Sequence, residues 1–175
     1  MKKNLLLIIL AISLSLSAFA QQQRNGYIDS EYILNNIPEY KEAQKELDRL
    51  AVNWQRDIEK RFASIDSMYK QYQVEAITLP ENLKQKREEA IIKAEQDAKE
   101  LQKKRFGKDG DLFKKREELV KPIQDRVFNA IEAIAKDRGY AFVFDVAGSM
   151  TIVYADPKWD LNDMVMQRLG ITVRD

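Results

Sequence analysis

The sequence predicts a mainly α-helical chain with a small β base (α+β): a long antiparallel helical hairpin rising from a β-rich body through which copies associate. Three observations predict it. Glu39 to Arg138 is a run of about a hundred residues, nearly all of them helix-forming or charged. Thr78-Leu79-Pro80-Glu81 breaks that run and folds it back on itself. Short β-like patches, Asn25-Gly26-Tyr27-Ile28-Asp29 and Ala141-Phe142-Val143-Phe144-Asp145-Val146, lie at its two ends, so both arms rise from a common base.

The predicted organisation is a leader over 1–20, a body from 21–38 and 139–175, and an arm over 39–138 with its tip near 78–81. Lys2 and Lys3 precede an apolar run from Leu5 to about Phe19, and Ala18-Phe19-Ala20 supplies the small residues of a secretory cleavage site. Cleavage after Ala20 is expected, since the run is short of the roughly 20 apolar residues of a spanning helix and Gln21-Gln22-Gln23 follows at once. The chain has no cysteine, hence no lipid-attachment thiol and no disulfide framework. A soluble protein in an extracytoplasmic space is the expectation.

The full chain carries 29 Lys and Arg against 28 Asp and Glu; with Lys2 and Lys3 in the leader, the remainder has 27 against 28. A near-neutral balance excludes a strong overall field for nucleic acid. Most of the length is spent on the charged helical run, so the core is small and stability is expected to depend on association.

The helical assignment rests on period. Leu47, Leu50, Trp54, Ile58, Phe62, Ile65, Tyr69, Tyr72 and Ala76 recur every three or four residues and draw one apolar stripe. The return segment carries Leu83, Ala90, Ala94, Ala98 and Leu101, then Leu112, Leu119, Ile123, Val127, Ala130 or Ile131, and Ile134. At the tip, Thr78 is placed to cap, Glu81 to complete a capping box, and Pro80 to sit in a first helical turn. Partners in an antiparallel hairpin about that tip have numbers totalling about 159. Tyr69 then faces Ala90, Ile65 faces Ala94, Ile58 faces Leu101 and Leu47 faces Leu112. Large side chains opposite alanines suit a packed seam, and Phe62 and Tyr69 are read as packing. Trp54 falls opposite Arg105, where a cation-π contact is feasible.

Gly107 and Gly110 interrupt the return helix, each glycine costing about 1 kcal/mol relative to alanine. They mark a hinge or a kink, with a fixed bend the favoured form. Asp109 and Asp111 beside them lack the spacing and terminal glutamate of a calcium loop.

For the body, Tyr27 and Ile28 form a short strand, Ala141 to Val146 a second, and Thr151-Ile152-Val153-Tyr154 a third, turned by Gly148-Ser149. Asp29 or Ser30 caps a short helix to about Asn36. Asp160 starts a terminal helix with an apolar face of Leu161, Met164, Val165 and Leu169. Open strand edges and a small core point to self-association at this end, without fixing the number of copies.

The sequence offers little catalytic machinery beyond Ser, Lys and carboxylate side chains. Histidine and cysteine are both missing, which removes the commonest general base, the commonest transition-metal ligand and the thiol nucleophile. No glycine-rich phosphate loop follows a strand. A non-enzyme is predicted, with no cofactor and no metal.

Gly26-Tyr27-Ile28-Asp29, the following Tyr32-Ile33-Leu34-Asn35-Asn36-Ile37-Pro38-Glu39-Tyr40, the charged hairpin, Leu119-Val120-Lys121-Pro122-Ile123, and Ile131-Glu132-Ala133-Ile134-Ala135 through to Phe144-Asp145 together resemble the Skp/OmpH family of periplasmic chaperones. The likeness covers essentially the whole chain after the leader. It implies a homotrimer with a β-rich trimerisation body and three coiled-coil tentacles enclosing a cavity. It also implies a periplasmic holdase that binds unfolded outer-membrane proteins without ATP and keeps them from aggregating before membrane assembly. Well-known members are markedly basic, and the near-neutral charge here departs from them, which weakens the expectation of electrostatic capture of acidic clients or anionic lipid. Client contact is expected at Trp54, Ile58, Arg105 and Phe106, and at the basic residues Lys84, Lys86 and Arg87. Lys103, Lys104 and Arg105, and Lys114, Lys115 and Arg116, form two further basic clusters. The subunit interface is expected at Tyr27, Ile28, Phe142, Phe144, Ile152 and Tyr154. The rival reading is a structural coiled-coil envelope spacer or adaptor that uses the arm as a fixed strut.

Overall fold

The computed structural model describes residues 23–148 and 152–172. The leader over 1–20 lies outside the described residues, as do Ser149 and Thr151. The elements follow in the order β1 (Arg24–Ile28), α1 (Ser30–Asn35), α2 (Pro38–Glu75), α3 (Glu81–Phe106), α4 (Asp111–Arg138), β2 (Tyr140–Asp145), a 3-10 turn (Pro157–Trp159) and α5 (Asn162–Arg168). The chain is mainly helical, with long helices and a small sheet. It divides into two compact units, one of Leu34–Asp125 and the other of the residues up to Ile33 together with those from Arg126 onward.

In the unit Leu34–Asp125, α2 runs for 38 residues from Pro38, whose missing N–H costs a first turn nothing. It pairs with α3 through a seam of Ile65, Ile91 and Ala98, with Met68, Tyr72 and Ala94 packed against them. Ile58, Ile65 and Tyr72 recur at heptad spacing along α2, as do Ile91, Ala98 and Arg105 along α3, the pattern of a coiled-coil seam. Polar ties cross it: the Tyr72 hydroxyl donates to the Glu88 carboxylate, and Arg87 lies 3.6 Å from Glu75. These pairs run antiparallel about the turn that separates Glu75 from Glu81.

The stripe departs from its sequence reading at Leu83, which is 40% exposed, at Ala90 and at two aromatic residues. Ala90 is exposed and its neighbour Ile91 takes the seam there, while Ala94 and Ala98 keep the places read from the sequence. Phe62 and Tyr69 are 37% and 42% exposed and are not seam residues. A two-stranded seam favours aliphatic side chains, and Ile58 and Ile65 take it while the two rings lie at flanking positions.

The tip is also built differently. The Thr78 hydroxyl donates back to the Glu75 carbonyl at 3.1 Å and does not cap α3. Instead, Leu83 and Lys84 donate their N–H groups to the Pro80 carbonyl, and no side chain caps that end. Threonine competes well for a nearby carbonyl, and here the last turn of α2 offers one first.

α3 ends at Phe106 and α4 begins at Asp111, so the two glycines do interrupt the return helix. A side chain at Gly107 would place its Cβ 2.4 Å from the Lys103 carbonyl oxygen, and one at Gly110 would lie 2.8 Å from that of Lys104. The bend requires backbone to approach backbone more closely than any Cβ permits. Near the start of α2, Arg49 hydrogen-bonds Glu46 and holds its carboxyl below the usual range, and the charge of Lys115 on α4 acts in the same direction.

In the other unit, β1 and β2 pair in parallel, with Tyr27 opposite Phe144 and Ile28 opposite Asp145. Parallel strands need a crossover, and the helical run between them supplies it. Asp29 caps α1 by accepting from the Tyr32 N–H at 2.8 Å. Asp160 Oδ1 accepts from the Asn162 N–H at 2.7 Å as α5 starts, and Asn162 Oδ1 accepts from the Asp29 N–H at 2.7 Å. Buried residues of this unit include Ile28, Ile33, Leu161, Val165 and Met166. Gly26 is explained by Leu161, whose Cδ1 would lie 2.6 Å from an added Cβ.

Among the described residues the expected third strand is not formed. Ile152 to Tyr154 is irregular, Val153 is 95% exposed, and the sheet has two strands. The chain does not return along β2. It reaches the outer edge of β1, where the Leu161 N–H donates to the Tyr27 carbonyl at 2.9 Å and Asp160 makes a parallel bridge to Tyr27.

Candidate functional site

The best-defined polar and aromatic cluster lies in the unit Leu34–Asp125, where α2 meets the end of α3. The Arg105 guanidinium sits 4.5 Å over the Trp54 ring, and Phe106 meets the same ring edge-on at 6.4 Å. Asp111, the first residue of α4, holds Arg105 at 2.6 Å. One guanidinium therefore ties α2, α3 and α4 together across the glycine bend, which makes the bend a braced one. Arginine suits this position because its planar fork stacks on an indole while a carboxylate takes its edge.

Beside this clamp is an open groove of about 390 Å³, floored by Trp54 and Leu101 and walled by Asp57, Lys60, Arg61 and Ser64. Trp54, Asp57, Arg61 and Ser64 step by three or four and share one face of α2. That spacing from Trp54 was available in the sequence; nothing there distinguished Lys60 and Arg61 from other solvated charges. Ile58, expected at this site, is 2% exposed and is spent on the seam, so it has no surface to offer a ligand.

The other predicted residues are scattered. Lys84 lies 3.7 Å from Glu81 and Arg87 pairs with Glu75, so two of the three basic residues near the tip are already partnered; Lys86 is exposed. The tip exposes Val74 and Ile77. Lys103, Lys104 and Lys114 line a second open groove, of about 490 Å³, around Gly107 and Gly110, but Glu100, Asp109 and Asp111 line it too.

In the other unit, Tyr27, Phe144, Ile152 and Tyr154 line a shallow pocket of about 360 Å³ with Trp159. Phe142 and Phe144 stack at 6.2 Å on the same exposed face of β2. Desolvation raises the Tyr27 phenol above its ordinary pKa, and the nearby Asp160 and Asp156 add to the effect. Ile28 is buried within the chain. Among the described residues no cluster of carboxylates could hold a metal ion, and no helix is long and apolar enough to cross a membrane.

The family model described as outer membrane protein (OmpH-like) matches residues 24–169. The chain belongs to the OmpH-like family. This is the Skp group of outer membrane protein chaperones, a non-enzymatic family. No curated protein sequence matches the chain. Among solved structures, it is similar to an OmpH-like protein from Caulobacter crescentus CB15 named as a candidate outer membrane chaperone, with a TM-score of 0.66 and 11% identity. The match covers 89% of this chain and 90% of that one. At that identity the likeness speaks for the OmpH-like fold, long helices and small sheet included.

Proposed function

We propose that this OmpH-like chain is an ATP-independent periplasmic holdase. It binds unfolded outer-membrane proteins in a cavity formed by the helical arms of a homotrimer and keeps them from aggregating before membrane assembly. The observation that carries the reading is family membership over 24–169 joined to the surface of the long helices. Val52, Phe62, Tyr69, Ile92, Phe106 and Phe113 are exposed among many charges. Scattered apolar and charged contacts of this kind hold an extended chain through multivalency, with no single contact strong enough to trap it, so release needs no nucleotide.

Assembly through the small unit is part of the proposal. Phe142, Phe144 and Tyr154 form an exposed aromatic surface beside the outer edge of β2, and burying such a surface and edge against other copies relieves both liabilities. The leader supports export to the periplasm.

The deciding experiment is aggregation suppression. The purified protein without residues 1–20, in stoichiometric excess and without ATP, is expected to keep a urea-diluted outer-membrane β-barrel protein soluble. Aggregation as fast as in buffer alone would transfer the assignment to a coiled-coil spacer or adaptor. That rival has an observation of its own in the braced bend at Arg105, since a strut has to be stiff.

A further inference from the structure

We infer that the groove beside Trp54 reads a pattern in its clients: an apolar side chain and a carboxylate two residues apart on one face of an extended segment. This deepens the holdase reading and rests on it.

The floor of the groove is apolar, with Trp54 and Leu101, and its wall carries Lys60 and Arg61. Arg105 is already committed to Asp111 and to the Trp54 ring, so it shapes the floor and leaves little charge to spare. Lys60 and Arg61 form no ion pair among the described residues, and Asp57 is the single acidic residue of the groove. The unspent charge of the wall is therefore positive, although the chain as a whole is close to neutral.

Spacing narrows the ligand further. Lys60 and Arg61 lie about 9 and about 10.5 Å along the helix axis from Trp54, at 1.5 Å per residue. Same-face side chains of an extended segment repeat every about 7 Å. Trp54 leans toward the helix N-terminus just as they do, so the length and flexibility of the lysine and arginine stems take up that difference. An apolar ring on Trp54 and a carboxylate two positions along the same strand face then reach both halves of the groove together. Adjacent residues of an extended segment point to opposite faces and cannot.

The test uses the protein without its leader and short peptides built on Phe-x-Glu, Phe-Glu and Phe-x-Lys units in otherwise identical Gly/Ser sequences. Binding is read by calorimetry and by Trp54 emission in a Trp159→Phe background, because the chain has two tryptophans. The Phe-x-Glu peptide is expected to bind about fivefold tighter than either control, in line with two exposed charge contacts. Lys60→Glu with Arg61→Glu should erase or invert that order. Equal binding of the three peptides, or an order indifferent to the double substitution, overturns the inference. Aggregation suppression measured on the same preparations separates the two ideas: a protein that holds its client but shows no peptide preference loses only the pattern, whereas one that holds nothing loses the holdase reading.

Discussion

Arg105 stacks 4.5 Å over Trp54 while its guanidinium lies 2.6 Å from Asp111, so a single side chain joins three helices at the bend. Both partners of the ion pair are roughly two-thirds withdrawn from solvent, which weakens screening without making the pair costly to bury. Arg105→Ala is expected to lower stability by about 1 kcal/mol, the usual size of one cation-π contact with one partly exposed ion pair. Urea unfolding followed by circular dichroism measures it. Arg105→Lys should recover less than half, because an ammonium cannot stack and pair in the same geometry.

The bend depends on glycine for a steric reason and not for a special backbone angle. Gly107 has φ −66 and ψ 170, which any residue can adopt, yet an added Cβ would meet the Lys103 carbonyl oxygen at 2.4 Å. Gly107→Ala should cost about 1–3 kcal/mol through forced backbone shifts. Gly139→Ala is the contrast: its φ is +71 and the space around it is open, so about 1–2 kcal/mol of backbone strain is expected with no displacement of neighbours. Thermal unfolding of both variants, with structures of each, distinguishes a clash from a strained dihedral.

Seam and flank should respond very differently to truncation. Ile65 is 6% exposed at the centre of the α2–α3 seam, and Ile65→Ala is expected to cost about 2–5 kcal/mol. Phe62→Ala and Tyr69→Ala, at exposed flanking positions, should each cost about 1 kcal/mol. If the larger penalty fell on the aromatic residues, the seam assignment would be wrong.

Acid sensitivity has a local source in the small unit at Asp145. Partial burial pushes the Asp145 carboxyl upward, but hydrogen bonds from Ser30 and Ala147 outweigh it and hold the pKa below its ordinary value. A folded-state pKa depressed below the unfolded value of about 3.9 stabilises the fold above that value, and the contribution is lost as pH falls through the folded pKa. Asp145→Asn should therefore be less stable than the parent at neutral pH. The gap should shrink below about pH 4, as urea midpoints across a pH series will show.

Deletion of Trp54 to Arg105 tests where association resides. The shortened protein is expected to keep the oligomer mass, scaled for the loss, while aggregation suppression disappears. Light scattering that returned a monomer would place the interface in the deleted helices.

Much of the fold is legible in the sequence because helix formation is local. The three-to-four-residue period, the break near Pro80 and the glycine interruption are properties of neighbouring residues, and the structure has α2, α3 and α4 ending within a few residues of those signals. Even the Trp54–Arg105 contact follows once two helices are folded about a known tip. Which residue of an adjacent pair enters a seam is not local. Ala90 against Ile91, and Phe62 against Ile65, differ by a rotation of the helix that only the opposing surface selects. The fate of Ile152 to Tyr154 is of the same kind: β-rich composition suits a strand, but a strand needs an edge, and the chain instead carries Asp160 and Leu161 to the outer edge of β1. Sequence determined the long helices and the turn between them; tertiary structure decided the faces and the fate of the last β-rich segment, because burial and strand pairing are properties of two surfaces and a sequence presents them one at a time.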